Sequence, residues 1–271
     1  MLGRRILTAA VLLPLALAGL FVASRQTWGL ASAIVVAIGA WEWARLSSAG
    51  HAGRLVFAAF FLACCAAVLR LPGSFEPLSP YVWTAALLFW LVAATPWVVK
   101  RWHVRSVPVL LATGWWVLFP AWLAAWTLQP QPGRLLVLMG TIWVADSAAY
   151  FAGRRFGRRK LAPLVSPGKS WEGVIGAIAG VAIYFVLVES LWPGLLPSGG
   201  SPVATLLFLE AVVALSIVGD LFESWMKREV GLKDSGSILP GHGGILDRLD
   251  SLTAALPVMA LFVWWTMERS A

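Results

Sequence analysis

The chain has 271 residues, of which 59% are hydrophobic and 13% charged, with a formal net charge of +8. A soluble globular domain carries about 25% charged residues, so this composition, with a mean hydropathy of +0.79, excludes a soluble fold and points to lipid as the solvent. In that setting the positive charge marks loops that face anionic lipid heads and anionic substrates, and no nucleic-acid partner is expected.

Nine apolar windows follow one another, at 6–24, 27–45, 54–71, 80–99, 107–127, 134–152, 171–192, 202–226 and 251–267. Each approaches the roughly 20 residues that a spanning helix needs. None alternates in the manner of a strand, and in lipid the backbone must satisfy its own hydrogen bonds, which makes the segments helices. Pro72-Gly73, Pro130 with Pro132-Gly133, and Pro197-Ser198-Gly199-Gly200 separate them. The expected fold is all-α: a polytopic membrane helical bundle of about nine transmembrane helices with a cytoplasmic N-terminus. Residues 1–130 supply about five spans, and 131–271 supply about four spans with two polar loops. The first window starts after Arg4-Arg5, is long, and is followed by Arg25 in place of a small-x-small site, so it reads as a retained span. The 17 Trp are expected at the membrane interfaces. The adjacent Cys64 and Cys65 lack disulfide or zinc spacing and are read as packing residues.

Placement of Lys and Arg gives the orientation. With the N-terminus inside and nine alternating helices, only Arg25, Arg70, Arg134 and Arg269 of the 21 basic residues fall outside, as the positive-inside rule requires. Two inner loops are long and polar: a basic one at about 153–170, and one at about 227–250 rich in Gly, Asp, Lys and Arg.

Ionisable groups in a bilayer are costly and mark function by default. Asp146, Asp220, Glu223, Asp247 and Asp250 all fall near the inner ends of their windows. Asp220 and Ser224, four apart, share a helix face, as do Asp247 and Asp250. Taken singly, each acid could be a cap or an ion-pair partner. Carboxylates converging at one depth suit a hard cation such as magnesium, which takes oxygen ligands and keeps waters or phosphates in its shell. Glu42, Glu189 and Glu210 are read as structural, with Glu42, in Trp41-Glu42-Trp43, the first to reconsider.

Ser166-Pro167-Gly168-Lys169-Ser170-Trp171-Glu172-Gly173 precedes the seventh helix, whose free N–H groups attract phosphate. Lys169 adds a charge, and Ser166 and Ser170 add donors. It is not a P-loop, because the first Gly of that motif is missing and no strand is expected before it; a plain capping turn with a solvated lysine is the bland alternative. Between Lys227 and Asp250 lie Arg228, Lys233, Gly236, His242, Gly243, Gly244 and Arg248. Glycines there let a backbone approach a triphosphate, and basic groups neutralise it.

These residues resemble a known family. Ser224-Trp-Met-Lys227-Arg228-x4-Lys233-Asp234-x-Gly236-x2-Leu239-Pro240-x-His242-Gly243-Gly244-Ile245-x-Asp247-Arg248-Leu249-Asp250 is similar to the signature of the phosphatidate cytidylyltransferases, also called CDP-diacylglycerol synthases. Asp146 to Gly157 and Ser166 to Gly173 also resemble that family, so the likeness covers about the C-terminal half. It implies that phosphatidate and CTP give CDP-diacylglycerol and pyrophosphate, at the cytoplasmic face of a bacterial inner membrane, often in a homodimer. It also implies Mg2+ on Asp220 and Asp247, with K+ as a companion cation. Lys227, His242 and Arg248 join those acids as catalytic residues. Ser166, Lys169, Ser224, Arg228, Lys233, Gly243, Gly244 and Asp146 form the substrate-binding set. The CDP-alcohol phosphotransferases are a poorer match, because their spaced aspartates are missing. A solute transporter is the rival of another class, set against polar groups that crowd one face and the lack of an internal repeat.

Overall fold

Proline and serine start the helices, and lipid-facing apolar side chains continue them. The computed structural model describes residues 2–197, 201–239, 241 and 243–268. Among the described residues nine long helices run in chain order: α1 Leu2–Val22, α2 Arg25–Leu46, α3 His51–Arg70, α4 Pro72–Lys100, α5 Val107–Leu128, α6 Pro132–Phe156, α7 Trp171–Leu191, α8 Pro202–Glu229 and α9 Leu246–Glu268. Those from α2 to α9 are long and apolar enough to cross a membrane. The described side chains of α1 form a shorter apolar stretch, Ala10–Val22.

Pro72, Pro132 and Pro202 open their helices, where a residue without an N–H costs nothing. Ser24, Ser170 and Ser201 cap α2, α7 and α8 by accepting from the N–H of Thr27, Gly173 and Ala204. Within α4 the turns widen to a π-helix over Phe89–Ala94. Pro96, two residues on, cannot donate to a carbonyl, and Thr95 Oγ1 donates to the Trp90 carbonyl at 2.7 Å.

The helix ends alternate between two faces, as successive antiparallel helices require. On one face Glu42 of α2 meets Ser235, Trp225 of α8 donates to Trp102, and Arg228 donates to the Val165 carbonyl at 3.2 Å. The connections α2–α3, α4–α5, α6–α7 and α8–α9 therefore share that face. On the other, Gln129 reaches the carbonyls of Leu20 and Ala23, Arg25 pairs with Glu76, and Arg134 donates to Leu195 O.

Helix α9 is central and packs against α8, α5, α4, α6 and α2. The most intimate pair is α6 with α7. Gly173, Gly176 and Gly180 on α7 face Ala149, Ala148 and Ala152 on α6, and the small residues let the backbones approach closely, the usual adhesive of helices in lipid. Large apolar side chains such as Leu55, Phe60, Val92, Ile175 and Leu187 are exposed on the outside of the bundle, where lipid replaces water as their partner.

The tryptophans depart from the interfacial expectation. Trp102, Trp171, Trp192 and Trp264 are exposed near helix ends, but Trp43, Trp83, Trp90, Trp97, Trp122, Trp126 and Trp225 are buried. Inside, the indole N–H serves as a clamp between helices: Trp43 Nε1 donates to Leu110 O at 2.7 Å and Trp122 Nε1 to Gly29 O at 3.0 Å. Carbonyls on neighbouring helices supply the partner a buried indole favours, whereas Trp83 and Trp126 Nε1 have none among the described residues. Cys64 and Cys65 are free thiols, partly and fully buried in α3.

Candidate active site

The basic connection between α6 and α7 folds into a small antiparallel ribbon, β1 Lys160–Ala162 and β2 Ser166–Ser170. The Glu172 carboxylate closes it by accepting from the N–H groups of Arg158 and Arg159 at 3.1 and 3.2 Å. A strand thus does precede the helix, contrary to the expectation. It belongs to a two-stranded ribbon, and the first Gly of a P-loop is still missing. Strand β2 runs straight into α7, so Lys169 stands at a helix N-terminus.

From there Lys169 reaches across to α8, where its Nζ lies 2.6 Å from Asp220 Oδ2. Asp220 Oδ1 accepts from Ser224 Oγ at 3.3 Å, one turn further along. The two elements enclose a cavity of about 600 Å³ with α6 and the first turn of α9. Its wall holds four carboxylates, Asp146, Asp220, Asp247 and Asp250, and four cationic side chains, Arg154, Lys160, Lys169 and Arg248. Asp146 and Asp250 both lie near enough to Asp220 for the carboxylates to repel one another.

Asp247 is held more tightly than any of these. Its Oδ2 accepts from Ser235 N at 2.9 Å and Gly244 N at 2.8 Å and lies 3.0 Å from Ser235 Oγ, while Oδ1 takes the Lys227 ammonium at 2.6 Å. Lys227 also lies 3.1 Å from Glu223 Oε1, an ion pair without hydrogen-bond alignment. Lys227 and Glu223 are 7% and 2% exposed, so the ammonium sits between two carboxylates inside the protein.

Of the expected site residues, Asp146, Ser166, Lys169, Asp220, Asp247 and Arg248 line the cavity. Ser224, Lys227, Arg228, Lys233, Gly243 and Gly244 do not. Lys227 is the clearest departure: it was expected among the catalytic residues, and its charge is engaged by Glu223 and Asp247. Arg228 binds the carbonyls of Val165 and Leu232 and ties two loops together. Lys233 is exposed. Gly243 adopts φ +84°, a turn that favours glycine, and Leu239 N donates to its carbonyl at 3.0 Å. His242 lies outside the described residues. Sequence reading assigned no site role to Arg154, Lys160 or Tyr150. The signal for two of them was present, since Asp146, Tyr150 and Arg154 are spaced by four and share one face of α6. Asp250 was noted as an acid but left out of the site.

A hard cation fits this donor chemistry. Among the described residues no three His, Cys, Asp or Glu side chains converge closely enough to hold a metal by themselves. Magnesium commonly takes one or two carboxylates and completes its shell with waters and substrate phosphates. Asp220 already binds a cationic group at 2.6 Å, and Asp247 Oδ1 takes the Lys227 ammonium.

Residues 3–266 match the cytidylyltransferase family. The chain is 45% identical over 271 residues to a phosphatidate cytidylyltransferase of Pseudomonas aeruginosa, covering 97% of each. It is 36% identical to a protein of the same name from Haemophilus influenzae, over 98% of this chain and the whole of the relative. A Thermotoga maritima phosphatidate cytidylyltransferase is 50% identical over 125 residues, 46% of each chain.

Proposed function

We propose that this chain, which belongs to the cytidylyltransferase family, uses the cavity between α6, β2, α8 and α9 to transfer CMP from CTP to phosphatidate. It is a multi-pass membrane nucleotidyltransferase that forms CDP-diacylglycerol and pyrophosphate. The observation that carries the site assignment is the set of four carboxylates and four cations around one cavity, with Lys169 at the α7 N-terminus paired to Asp220.

The phosphatidate phosphate is already anionic at neutral pH, so attack on the α-phosphorus of CTP needs little help from a base. Alignment and charge neutralisation then lower the barrier. Lys169, Ser166, Ser170 and the N-terminal end of α7 would bind phosphate oxygens, and Arg154, Lys160 and Arg248 would neutralise the rest. The four wall cations are formally balanced by the four wall acids, so a triphosphate brings charge that the protein alone does not offset. Magnesium held by Asp220 and Asp247 would neutralise it and stabilise the departing pyrophosphate. Potassium beside it, and pairing into a homodimer, belong to the same proposal and rest on the family resemblance. The proposed orientation puts the cavity at the cytoplasmic face of a bacterial inner membrane, in keeping with the basic residues that crowd that end. The diacyl tails then stay in lipid while the head group meets CTP.

The test is CDP-diacylglycerol formation by detergent-purified protein, with CTP and phosphatidate and a magnesium titration. Magnesium-dependent product is expected, falling on the order of 10²-fold or more in Asp220→Asn with folding retained, and by as much per folded molecule in Asp247→Asn. Folded wild-type protein that makes no product with any lipid or cation would sink the proposal.

A further inference from the structure

Glu42 lies on α2, in the half of the chain that the family motifs do not reach, and it is 2% exposed. Its carboxylate makes no ion pair among the described residues. It accepts instead from Ser235 Oγ at 2.9 Å, Ile245 N at 3.2 Å and Leu246 N at 2.8 Å. Leu246 is the first residue of α9, so Glu42 caps that helix from some 200 residues away in sequence. The free N–H groups and positive end of a helix are a favourable place for a buried carboxylate.

The surroundings are built around this group. A methyl added at Gly236 or Gly244 would overlap the Glu42 carboxylate, so both loop strands close directly on it. Arg45, one turn along α2, reaches the Ser235 carbonyl at 3.5 Å. Between them Trp43, 1% exposed, is bonded to the Leu110 carbonyl and stacks on Phe222 of α8, which fixes α2 in place. Ser235 is the link onward: the hydroxyl that donates to Glu42 is 3.0 Å from Asp247 Oδ2, and the Ser235 N–H donates to that same oxygen.

We infer that Glu42 is a positioning residue for the reaction: by capping α9 and holding Ser235, it sets the Asp247 carboxylate and the first turn of α9 against the cavity. It touches no reacting atom and acts through Ser235 and the α9 N-terminus. This rests on reading the cavity as the active site.

Glu42→Gln keeps the shape and removes one acceptor and the charge; Ser235→Ala removes only a hydroxyl. Each is measured, with the double variant, for kcat, for KM of CTP and for thermal unfolding in detergent. Glu42→Gln is expected to lower kcat by about 10–100-fold with KM changed by less than about threefold and a fall of only a few degrees in Tm, about what a lost cap costs. Ser235→Ala moves the same way, and the double variant is no worse than Glu42→Gln alone, because both cut one chain of contacts. Losses that multiply independently, or a lowered Tm with unchanged kcat per folded molecule, overturn the inference. Where Glu42→Gln does not fold, an unchanged kcat in Ser235→Ala overturns it. Inactive wild-type protein refutes the proposed function instead, which separates the two failures.

Discussion

At the scale of single residues, two lysines that look alike in sequence do different work. The Lys169 side chain is 24% exposed and pairs with one carboxylate at the cavity; the Lys227 side chain is 8% exposed and sits between two. Removing one partner of a buried charge cluster leaves the rest uncompensated and costs about 3–5 kcal/mol, while an accessible pair is worth about 0–1 kcal/mol. Lys227→Met is therefore expected to unfold at markedly lower temperature. Lys169→Met should melt close to wild type but show a raised KM for a phosphate-bearing substrate. Thermal unfolding alongside steady-state kinetics checks both. Equal destabilisation by the two changes would contradict the division of roles. Both lysines belong to recognisable motifs, yet the sequence does not say which one faces the cavity. That depends on how α8 is rotated against β2 and α9.

At the scale of elements, the cavity is shaped by the seam between α6 and α7. The seam brings Asp146 and Arg154 on one helix alongside the ribbon that carries Lys169. A side chain at Gly176 would collide with Ala152 and the Ala148 carbonyl, whereas one at Gly168 meets open space. Gly176→Val is expected to cost about 1–3 kcal/mol through overpacking and to lower activity by displacing the ribbon. Gly168→Ala should leave the melting temperature unchanged, with any effect on turnover coming from the cavity that Gly168 lines. Measuring the two side by side in thermal unfolding and turnover separates seam geometry from general intolerance of the region. The spacing Gly173-x2-Gly176-x3-Gly180 is present in the sequence, but a helix seam was not among the expectations drawn from it. Nor was the ribbon, because three- and five-residue strands carry too little alternation to stand out beside a proline and a glycine.

At the scale of the molecule, the alternation of the helices brings four connections to one face, and that face carries the cavity and most of the basic residues. The proposed cytoplasmic orientation makes a direct prediction. Arg158→Cys, on the exposed start of the ribbon, should react with a membrane-impermeant maleimide in inside-out vesicles and not in intact cells, against a Cys64→Ala, Cys65→Ala background. Labelling in intact cells would reverse the orientation.

The amino-acid pattern alone determined the membrane setting, the helices and their alternation, and the acids gathered at one depth, because each of these follows from local hydropathy and charge. It also carried the family likeness, since the motif residues are contiguous. The tertiary structure decided the rest. Lys227 is withdrawn from the cavity, Arg154, Lys160 and Asp250 join it, and Glu42 reaches Ser235 and the start of α9 across 193 to 204 positions. Those contacts join different helices, and their register is set by which side chains fill the space between helices, a property of the packed bundle that no local stretch of sequence contains.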